Sequence, residues 1–468
     1  MTTEGSLQAG GDAAREPVSR VWIECTRSYF RGGNTGIQRV VRNVVRESSA
    51  AGLRRGVTCE PLVWAGFGAV RPRRALRVQP HWVSELRDLG LAVIGRAVST
   101  LGRWVPVWIR NLRLAGGRGR LARLQAWCGA QLRPILHRSA GIAAFPLEFL
   151  RGRSIDLGPG DLLLLLDSSW GIAGVERLVR RARARGARIG LVVHDLIPID
   201  QPELCSFATR SFATWLEMGL ESADFVVSVS DATRVRLLQH MAEKGGGSPA
   251  VPTGVFRLGA ELDLAAGQAA TRPGVAKALA GDAPLYLTVG TLEPRKNHAL
   301  VLEAFEALWA GGNDLRLVIA GRAGWGSEAL RERLRLHPEK GRRLFVFEDL
   351  SDDELALAYE RARAVVCASF AEGFGLPVVE ALARRVPVFA SDIPSHMEVG
   401  GKHGIYFPRH SAEALRAAIE GFEANGLPID VQPPETFVWP DWWESTIELL
   451  DQALRLAVAR PGPRPPAR

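Results

Sequence analysis

The chain has 468 residues, of which 47% are hydrophobic and 23% charged, so its composition is that of a globular protein long enough for two or three domains. The formal net charge of +9 bears on association and not on fold, and it leaves a solvated arginine-rich surface, nucleic acid, anionic lipid and phosphorylated substrates open. Five widely spaced cysteines without a CxxC pair argue against a zinc ribbon or a disulfide framework, and they indicate a reducing compartment.

The N-terminal region opens with a polar segment. Residues 1–18 lack the basic-then-apolar pattern of a signal peptide, and we expect them to form a disordered tail. A short apolar strand at residues 21–25 runs into the glycine-rich loop 31–36, after which apolar residues recur at helical spacing from Ile37 onward. This order of strand, glycine loop and helix indicates the start of a Rossmann-like unit. The sequence contains no run of about 18 uncharged apolar residues, so no transmembrane helix is predicted.

Three further strands are predicted in the first half of the chain. Residues 161–167 contain five consecutive leucines, which suits a strand buried on both faces, and residues 189–193 and 225–229 are similar apolar runs. Helical segments separate these runs, so a parallel sheet is expected for the first domain, residues 19–264. The arginine-, leucine- and tryptophan-rich stretch at about 71–160 fits this scheme poorly and is interpreted as an insertion.

The alternation of strands and helices restarts at residue 285 and predicts a second doubly wound α/β domain at 283–425. Its predicted strands are 285–289, 315–320, 344–347, 364–367 and 386–390, and its predicted helices are 300–309, 327–336, 353–363 and 377–383. The flanking segments are a linker at 265–282, a returning C-terminal helix within 426–460 and a proline-rich disordered tail at 461–468.

The strongest functional motif lies where a predicted buried strand is followed by a helix. Seven residues separate Glu372 from Glu380, among them Gly373, Gly375 and Pro377, and Pro377 is well placed to start the helix. The glycines allow a ligand to approach the backbone, and the helix N-terminus offers N–H groups to an anion such as a diphosphate. Glu380 can then accept hydrogen bonds from a ribose diol while Glu372 reaches a sugar. The alternative is an ordinary turn with two surface glutamates.

The segment Glu372-x7-Glu380, with Gly-Phe-Gly-Leu-Pro inside it, resembles the signature of the retaining glycosyltransferases, in particular glycosyltransferase family 4 (glycosyl transferases group 1). The likeness covers about residues 285–419, with matching segments at 289–297, 319–321, 350–355, 390–394 and 398–399. It implies the GT-B fold, in which two Rossmann-like domains face a central cleft. It also implies donor contacts for Gly290, Gly373, Phe374, Gly375 and Leu376.

Arg295 and Lys296 follow a predicted buried strand, where two adjacent cations are often only part of a solvated turn. Because Asn297 and His298 open a helix expected to face the cleft, this pair can stabilise the negative charge that develops on a leaving nucleoside diphosphate. In the resembled family the matching basic pair binds the diphosphate, which makes a divalent metal unnecessary. Arg295 and Lys296 are therefore predicted as catalytic and donor-binding residues, and neither a cofactor nor a metal is expected.

The first domain offers weaker candidates. The loop that ends at Gly36 resembles the family's glycine-rich loop near the donor phosphates, and Arg39 follows it closely. His194 follows a buried strand at the carboxyl edge of the sheet, where open α/β sheets bind ligands. In the family a histidine at such a position lies beside the donor sugar, and a satisfied structural histidine is the alternative. Ser230 is interpreted first as a helix cap.

Two other clusters favour structural roles. Ser351 stands three residues before Glu354, which is the spacing of a helix capping box, so the acidic residues between them are not interpreted as metal ligands. The cluster of Trp439, Trp442 and Trp443 could stack against a sugar. The favoured interpretation is that these rings pack the last helix across both domains, because the last helix of the resembled fold packs in this way.

The predicted insertion carries Trp104, Trp108 and Trp127 among several arginines. This combination suits a helix lying in a membrane interface, and the family often uses lipid-linked acceptors. A helical insert that packs against the domain is the alternative. Because the sequence carries no nucleic-acid motif, we expect no nucleic acid as a partner.

The residues and the family resemblance together imply a metal-independent retaining hexosyltransferase. Residues 289–297 also resemble a segment of bacterial surface-polysaccharide mannosyltransferases, which implies a role in bacterial polysaccharide, O-antigen or exopolysaccharide synthesis. Its donor would be GDP- or UDP-linked, with mannose favoured, and its acceptor a glycan or a lipid-linked glycan. A cytoplasmic location is expected, with peripheral contact to the anionic inner face of the membrane as an option. A double displacement would need a carboxylate nucleophile, for which Asp195 is the candidate. The alternatives are a non-catalytic nucleotide-sugar-binding protein, or an epimerase or phosphorylase on the same fold.

Overall fold

A computed structural model describes residues 16–31, 35–65, 68–72, 76, 153–172, 174–205, 209–244, 251–262 and 271–458 of the protein. Within these ranges the chain builds two α/β units, each around its own sheet. The α-helices are α1 (Thr26–Arg31), α2 (Gly36–Arg54), α3 (Val175–Ala184), α4 (Ile197–Asp200), α5 (Thr209–Ser222), α6 (Asp231–Glu243), α7 (Pro273–Leu279), α8 (His298–Ala310), α9 (Glu328–Leu336), α10 (Asp352–Arg361), α11 (Leu376–Ala383), α12 (Pro394–Gly400), α13 (Ala412–Asn425) and α14 (Trp442–Val458).

The N-terminal sheet has eight strands in the order β4-β3-β2-β1-β5-β6-β7-β8. They are β1 (Arg20–Glu24), β2 (Thr58–Trp64), β3 (Ala69–Arg71), β4 (Arg153–Ile155), β5 (Asp161–Leu165), β6 (Arg188–Val193), β7 (Phe225–Ser228) and β8 (Thr253–Val255). Neighbouring strands in the part of the sheet ordered β2-β1-β5-β6-β7-β8 pair in parallel. Strand β3 pairs antiparallel with both β2 and β4. The carboxyl ends of the parallel strands therefore meet at one edge of the sheet.

The C-terminal sheet has six parallel strands in the order β11-β10-β9-β12-β13-β14. They are β9 (Leu285–Val289), β10 (Arg316–Ala320), β11 (Leu344–Phe347), β12 (Ala364–Cys367), β13 (Val388–Ser391) and β14 (Gly404–Phe407). The order reverses between β9 and β12, and this switch point is where open α/β sheets bind ligands. The predicted fold class of two Rossmann-like domains is confirmed.

The apolar runs form these strands because helices cover both faces of each sheet. Every residue of β6 is buried, and the leucines of β5 have no exposed surface. The pattern did not predict β2, whose apolar residues are interrupted by Glu60 and Pro61, nor the short strands β3, β4, β8 and β14. Strands of three or four residues give little periodic signal.

The capping box predicted at Ser351 and Glu354 is confirmed at the start of α10. The Ser351 hydroxyl accepts from the Glu354 N–H, and the Glu354 carboxylate accepts from the Ser351 N–H. Arg272 also donates to the Glu354 carboxylate. Among the described residues, no group of three or more histidines, cysteines, aspartates and glutamates is arranged to hold a metal ion.

Most of the predicted insertion lies outside the described residues, including Trp104, Trp108 and Trp127, so its proposed membrane contact stays a prediction. Strand β4 falls inside the range assigned to the insertion yet pairs with β3 in the sheet. The described part of the expected linker contains α7. In the portions of the chain that the structure covers, every helix is too short or too polar to span a bilayer.

The last helix, α14, returns to the N-terminal unit and packs on α2, β7 and β8. The indole of Trp442 is 1% exposed and donates to the carbonyl of Glu261 at 3.0 Å, while the indole of Trp439 donates to the carbonyl of Leu258 at 2.7 Å. The Trp439 ring also lies 6.0 Å from the ring of Phe374 in the C-terminal unit. The tryptophan cluster therefore packs across both units, as predicted.

We expect Trp442→Ala to destabilise the fold by about 3–5 kcal/mol, because it removes a buried ring and leaves a cavity. Chemical denaturation followed by circular dichroism measures this change. Trp443→Ala removes a half-buried ring of the same helix and should cost clearly less. Equal losses in the two variants would contradict the packing described for α14.

Candidate active site

Glu372 lies in the loop between β12 and α11, and three side chains hold its carboxylate. Lys296 Nζ donates to Oε1 at 2.5 Å, Ser369 Oγ donates to the same oxygen at 2.7 Å, and Arg295 donates to Oε2 at 2.6 Å. Burial alone would raise the pKa of Glu372, but the charges of Arg295 and Lys296 outweigh burial and hold its pKa well below the ordinary range. Glu372 is therefore an ionised, oriented hydrogen-bond acceptor.

The predicted basic pair lies in the 3-10 turn Pro294–Lys296, which follows β9 after a four-residue loop at 290–293. Asn297 ends this turn in the left-handed region with φ of 54°. The second terminal nitrogen of Arg295 donates to Glu293 at 2.7 Å, so this guanidinium bridges two carboxylates. Burial lowers the pKa of Arg295, but Glu372 and Glu293 raise it above its ordinary value. Lys296 has three N–H donors and gives one to Glu372, which leaves capacity for an anionic ligand.

The glycine loop after Glu372 is one of the places where the two units touch. A Cβ at Gly373 would lie 1.8 Å from the carbonyl oxygen of His194, so no side chain fits there. The carbonyl of Gly373 accepts from Ser230 Oγ at 2.5 Å and from Thr233 Oγ1 at 2.9 Å. The predicted cap at Ser230 is confirmed, since its hydroxyl also accepts from the Thr233 N–H. The interface therefore fixes the loop that carries Glu372.

The other residues of this loop take different places. Gly375 immediately precedes α11 and adopts a φ of 117°, a backbone angle that favours glycine. The Phe374 ring is buried against Trp439, so a donor contact of Phe374 would use its backbone. A Cβ at Gly36, which begins α2, would lie 3.6 Å from the side chain of Leu376 at the start of α11. The predicted loop residues of both units thus face each other.

Glu380 lies one turn into α11 and is 2% exposed. The Tyr359 hydroxyl donates to its Oε2 at 2.7 Å, and Arg39 of α2 donates to its Oε1. The Glu380 carboxylate, predicted to bind ribose, is therefore hydrogen-bonded to Arg39 of the opposite unit. Neither the tyrosine nor this cross-unit pairing was predicted, because no spacing along the chain links them to Glu380.

His194 and Gly290 occupy the sheet edges as predicted. His194 follows β6 and is buried, with Nε2 2.8 Å from the carbonyl oxygen of Leu166, to which it donates. Burial lowers the pKa of His194, so the ring is neutral near pH 7. Gly290 follows β9 with φ of 151°, and a Cβ there would lie 3.2 Å from the side chain of Lys296.

Two buried histidines that the sequence did not single out as site residues lie behind the Glu372–Lys296 pair. His396 and His298 line a small cavity together with Lys296, Glu372 and Thr288. Burial lowers the pKa of each ring to about 4, so both are neutral near pH 7. His298 Nε2 contacts two backbone carbonyls, and its Nδ1 has no hydrogen-bond partner among the described residues. A neutral lining preserves the charge pairing of Glu372.

A second acidic pair lies at the carboxyl edge of the N-terminal sheet. Glu24, at the end of β1, accepts from the Thr26 N–H at 2.8 Å and from Ser169 Oγ at 2.5 Å. Asp167, after β5, accepts from the Ser28 N–H at 2.6 Å. Burial, with the charge of Asp167 adding to it, raises the pKa of Glu24 to about 7. This pair was not predicted, and its hydrogen bonds anchor α1 and the segment after β5.

Residues 275–432 match the family model described as Glycosyl transferases group 1. The chain therefore contains a glycosyltransferase group 1 domain, which includes Glu372, Glu380 and the basic pair. The predicted resemblance to this group is confirmed, whereas the retaining outcome and the assignment to family 4 stay predictions.

Curated relatives add a narrower likeness. The serotype-specific mannosyltransferase WbdA of Escherichia coli is 35% identical over 318 residues, which cover 65% of this chain and 38% of WbdA. The O-antigen chain mannosyltransferase B of Escherichia coli is 30% identical over 209 residues, covering 44% of this chain and 52% of that protein. The chain thus spans only part of the length of these relatives. The predicted similarity to bacterial surface-polysaccharide mannosyltransferases is confirmed.

Solved structures share the fold. Sucrose-phosphate synthase from Thermosynechococcus elongatus superposes with a TM-score of 0.51 at 16% identity, covering 94% of each chain. Trehalose-6-phosphate synthase OtsA superposes with a TM-score of 0.50 at 14% identity, covering 94% of this chain and 96% of that one. At these identities the likeness concerns the fold alone, and that fold is the predicted GT-B arrangement.

Gly373→Ala tests the backbone contact between the units. A methyl group at this position would collide with the His194 carbonyl, so we expect a destabilisation of about 1–3 kcal/mol and a displaced Glu372 loop. Thermal unfolding measures the change. Gly421→Ala is the matched control, because nothing lies within 4 Å of a Cβ there and Gly421 is helical. A Gly373→Ala variant as stable as the control would contradict the contact.

Glu24 makes the stability depend on pH. Its folded pKa of about 7 exceeds the ordinary value of 4.5, so folding favours the protonated form, and this contribution is lost as pH rises through about 7. We expect the melting temperature to fall from about pH 5 to about pH 8, and to fall less in Glu24→Gln. Glu413→Gln, at a side chain that is 85% exposed, should follow the wild-type profile. Parallel profiles for wild type and Glu24→Gln would disprove the shift.

Proposed function

We propose that this protein transfers a hexose from a nucleotide-sugar donor to a glycan or lipid-linked acceptor during the assembly of a bacterial surface polysaccharide. One observation carries the proposal. The ionised Glu372 is held by Lys296 and Arg295 in the loop that also makes backbone contact with the opposite unit. This arrangement supports the proposal, because a carboxylate suited to sugar hydroxyls and cations suited to a diphosphate lie side by side at the boundary of the two units.

The donor diphosphate would bind to Lys296 and to the N–H groups at the start of α11, where the helix dipole also favours an anion. Arg295 spans two carboxylates, so its main part is to keep Glu372 ionised and oriented, with the diphosphate as a further partner. Glu372 would then accept from hydroxyls of the hexose. Glu380 would accept from the ribose diol.

Transfer would occur with retention. The bond between the anomeric carbon and the diphosphate oxygen breaks, and these cations stabilise the charge left on that oxygen. The acceptor hydroxyl attacks the same face of the sugar, and its proton passes to the leaving oxygen. His194 would contact the donor sugar as a neutral ring. No metal is needed in this scheme, so we expect transfer to persist in the presence of a chelator.

The favoured donor sugar is mannose, because the similar proteins of Escherichia coli are named mannosyltransferases. A GDP-linked donor is preferred because residues 289–297 resemble the corresponding segment of bacterial mannosyltransferases, and a UDP-linked donor is the alternative. A cytoplasmic site of action, with peripheral contact to the membrane, belongs to this proposal.

Glu372→Gln and Lys296→Ala should each lower the transfer of radiolabelled mannose from GDP-mannose by about 100-fold or more, because each removes charge from the reacting centre. UDP-hexoses are assayed in parallel. Lys340→Ala, at an exposed lysine, is the control and should retain full activity. Near-normal turnover in both site variants would remove this assignment.

A further inference from the structure

The side-chain carboxylate of Glu380, which the proposed function assigns to the donor ribose, is not open to solvent. Glu380 is 2% exposed, and both of its oxygens accept hydrogen bonds. Oε2 accepts from Tyr359, which belongs to α10 of the same unit, at 2.7 Å. Oε1 accepts from Arg39, which belongs to α2 of the opposite unit. Oε1 is therefore the oxygen that faces across the cleft.

Arg39 is itself enclosed at this crossing. Its side chain is 11% exposed, and its second terminal nitrogen lies 3.8 Å from Asp352 Oδ1 at the start of α10. The close approach of Gly36 to Leu376 brings the first turn of α2 against the first turn of α11. The guanidinium thus occupies the space beside Glu380 where a donor would lie.

We propose that Arg39 is a removable counterion of Glu380 and that the ribose diol of the donor displaces it. This proposal rests on the proposed function. A buried carboxylate needs a partner in the free protein, since an unpaired buried charge is strongly unfavourable. A ribose diol offers two O–H donors to the carboxylate. Because Tyr359 already engages Oε2, the diol and Arg39 compete for Oε1.

The neighbouring Asp352 gives the released guanidinium a second carboxylate close by. Arg39 therefore acts through Glu380 as a positioning residue. The bond between Arg39 and Oε1 lowers the apparent affinity for ligands that carry a vicinal diol, because only the fraction of molecules in which Arg39 has left Oε1 is competent to bind them. A nucleotide without the diol does not need Oε1, so its affinity is independent of this step.

The test is calorimetric titration of wild type and Arg39→Met with GDP and UDP, and with their 2′,3′-dideoxy analogues. For whichever nucleotide binds the wild type, Arg39→Met should bind the ribose form about tenfold more tightly and the dideoxy form within about twofold of wild type. Arg55→Met is the matched control, because Arg55 directly follows the same helix and pairs with Asp451 of α14, away from Glu380. It should leave both affinities unchanged.

Other results would overturn the proposal. Equal gains for the ribose and dideoxy forms would mean that Arg39 only holds the cleft closed, and losses for both forms would mean that it binds the diphosphate. If neither nucleotide binds the wild type, the proposed function fails as well. If a nucleotide binds the wild type and Arg39→Met binds it equally well, only the proposal for Arg39 fails. If Arg39→Met does not fold, Arg39→Lys is the second variant. It keeps a cation beside Glu380 but loses the guanidinium fork, so we expect a smaller gain in affinity that is confined to the ribose form.

Discussion

Charge pairing inside the cleft is the constraint on which the site depends. Arg295 and Lys296 are bonded to Glu372, and Arg39 is bonded to Glu380. Each of these ions is largely removed from water, where an unpaired charge would be costly. In the proposed function, a nucleoside diphosphate would bring new negative charge into this network, and its ribose would bring neutral donors. On this proposal, ligand binding is an exchange of partners within a network whose charges are already paired.

The same physics gives two buried glutamates opposite character. Glu24 and Glu372 both lie near the carboxyl edge of a parallel sheet, and burial raises the pKa of each. Two cations next to Glu372 reverse this effect, whereas the neighbour of Glu24 is another carboxylate. The C-terminal edge therefore presents a fixed anion, and the N-terminal edge holds a group that is partly protonated near pH 7.

A backbone contact joins the carboxyl edges of the two sheets. Gly373 lies against the His194 carbonyl, and hydroxyls from the first turn of α6 hold its own carbonyl. The carboxylate of Glu398 accepts from the N–H groups of Asp231 and Ala232 at the start of α6, at 2.7 and 2.8 Å. The loop that carries Glu372 is thus positioned by both units.

The sequence by itself determined the elements whose signals are local. Long apolar runs predicted the central strands, and the spacing of Ser351 and Glu354 predicted a helix start. The Glu372-x7-Glu380 segment located the loop that the proposed function assigns to the donor. The three-residue strands β3, β4 and β8 were missed because so few residues carry little periodicity. Only the tertiary structure placed Arg39 on Glu380, since 341 positions separate the two residues. It likewise decided the partners Tyr359 and His396, because packing and not spacing along the chain brings such side chains together.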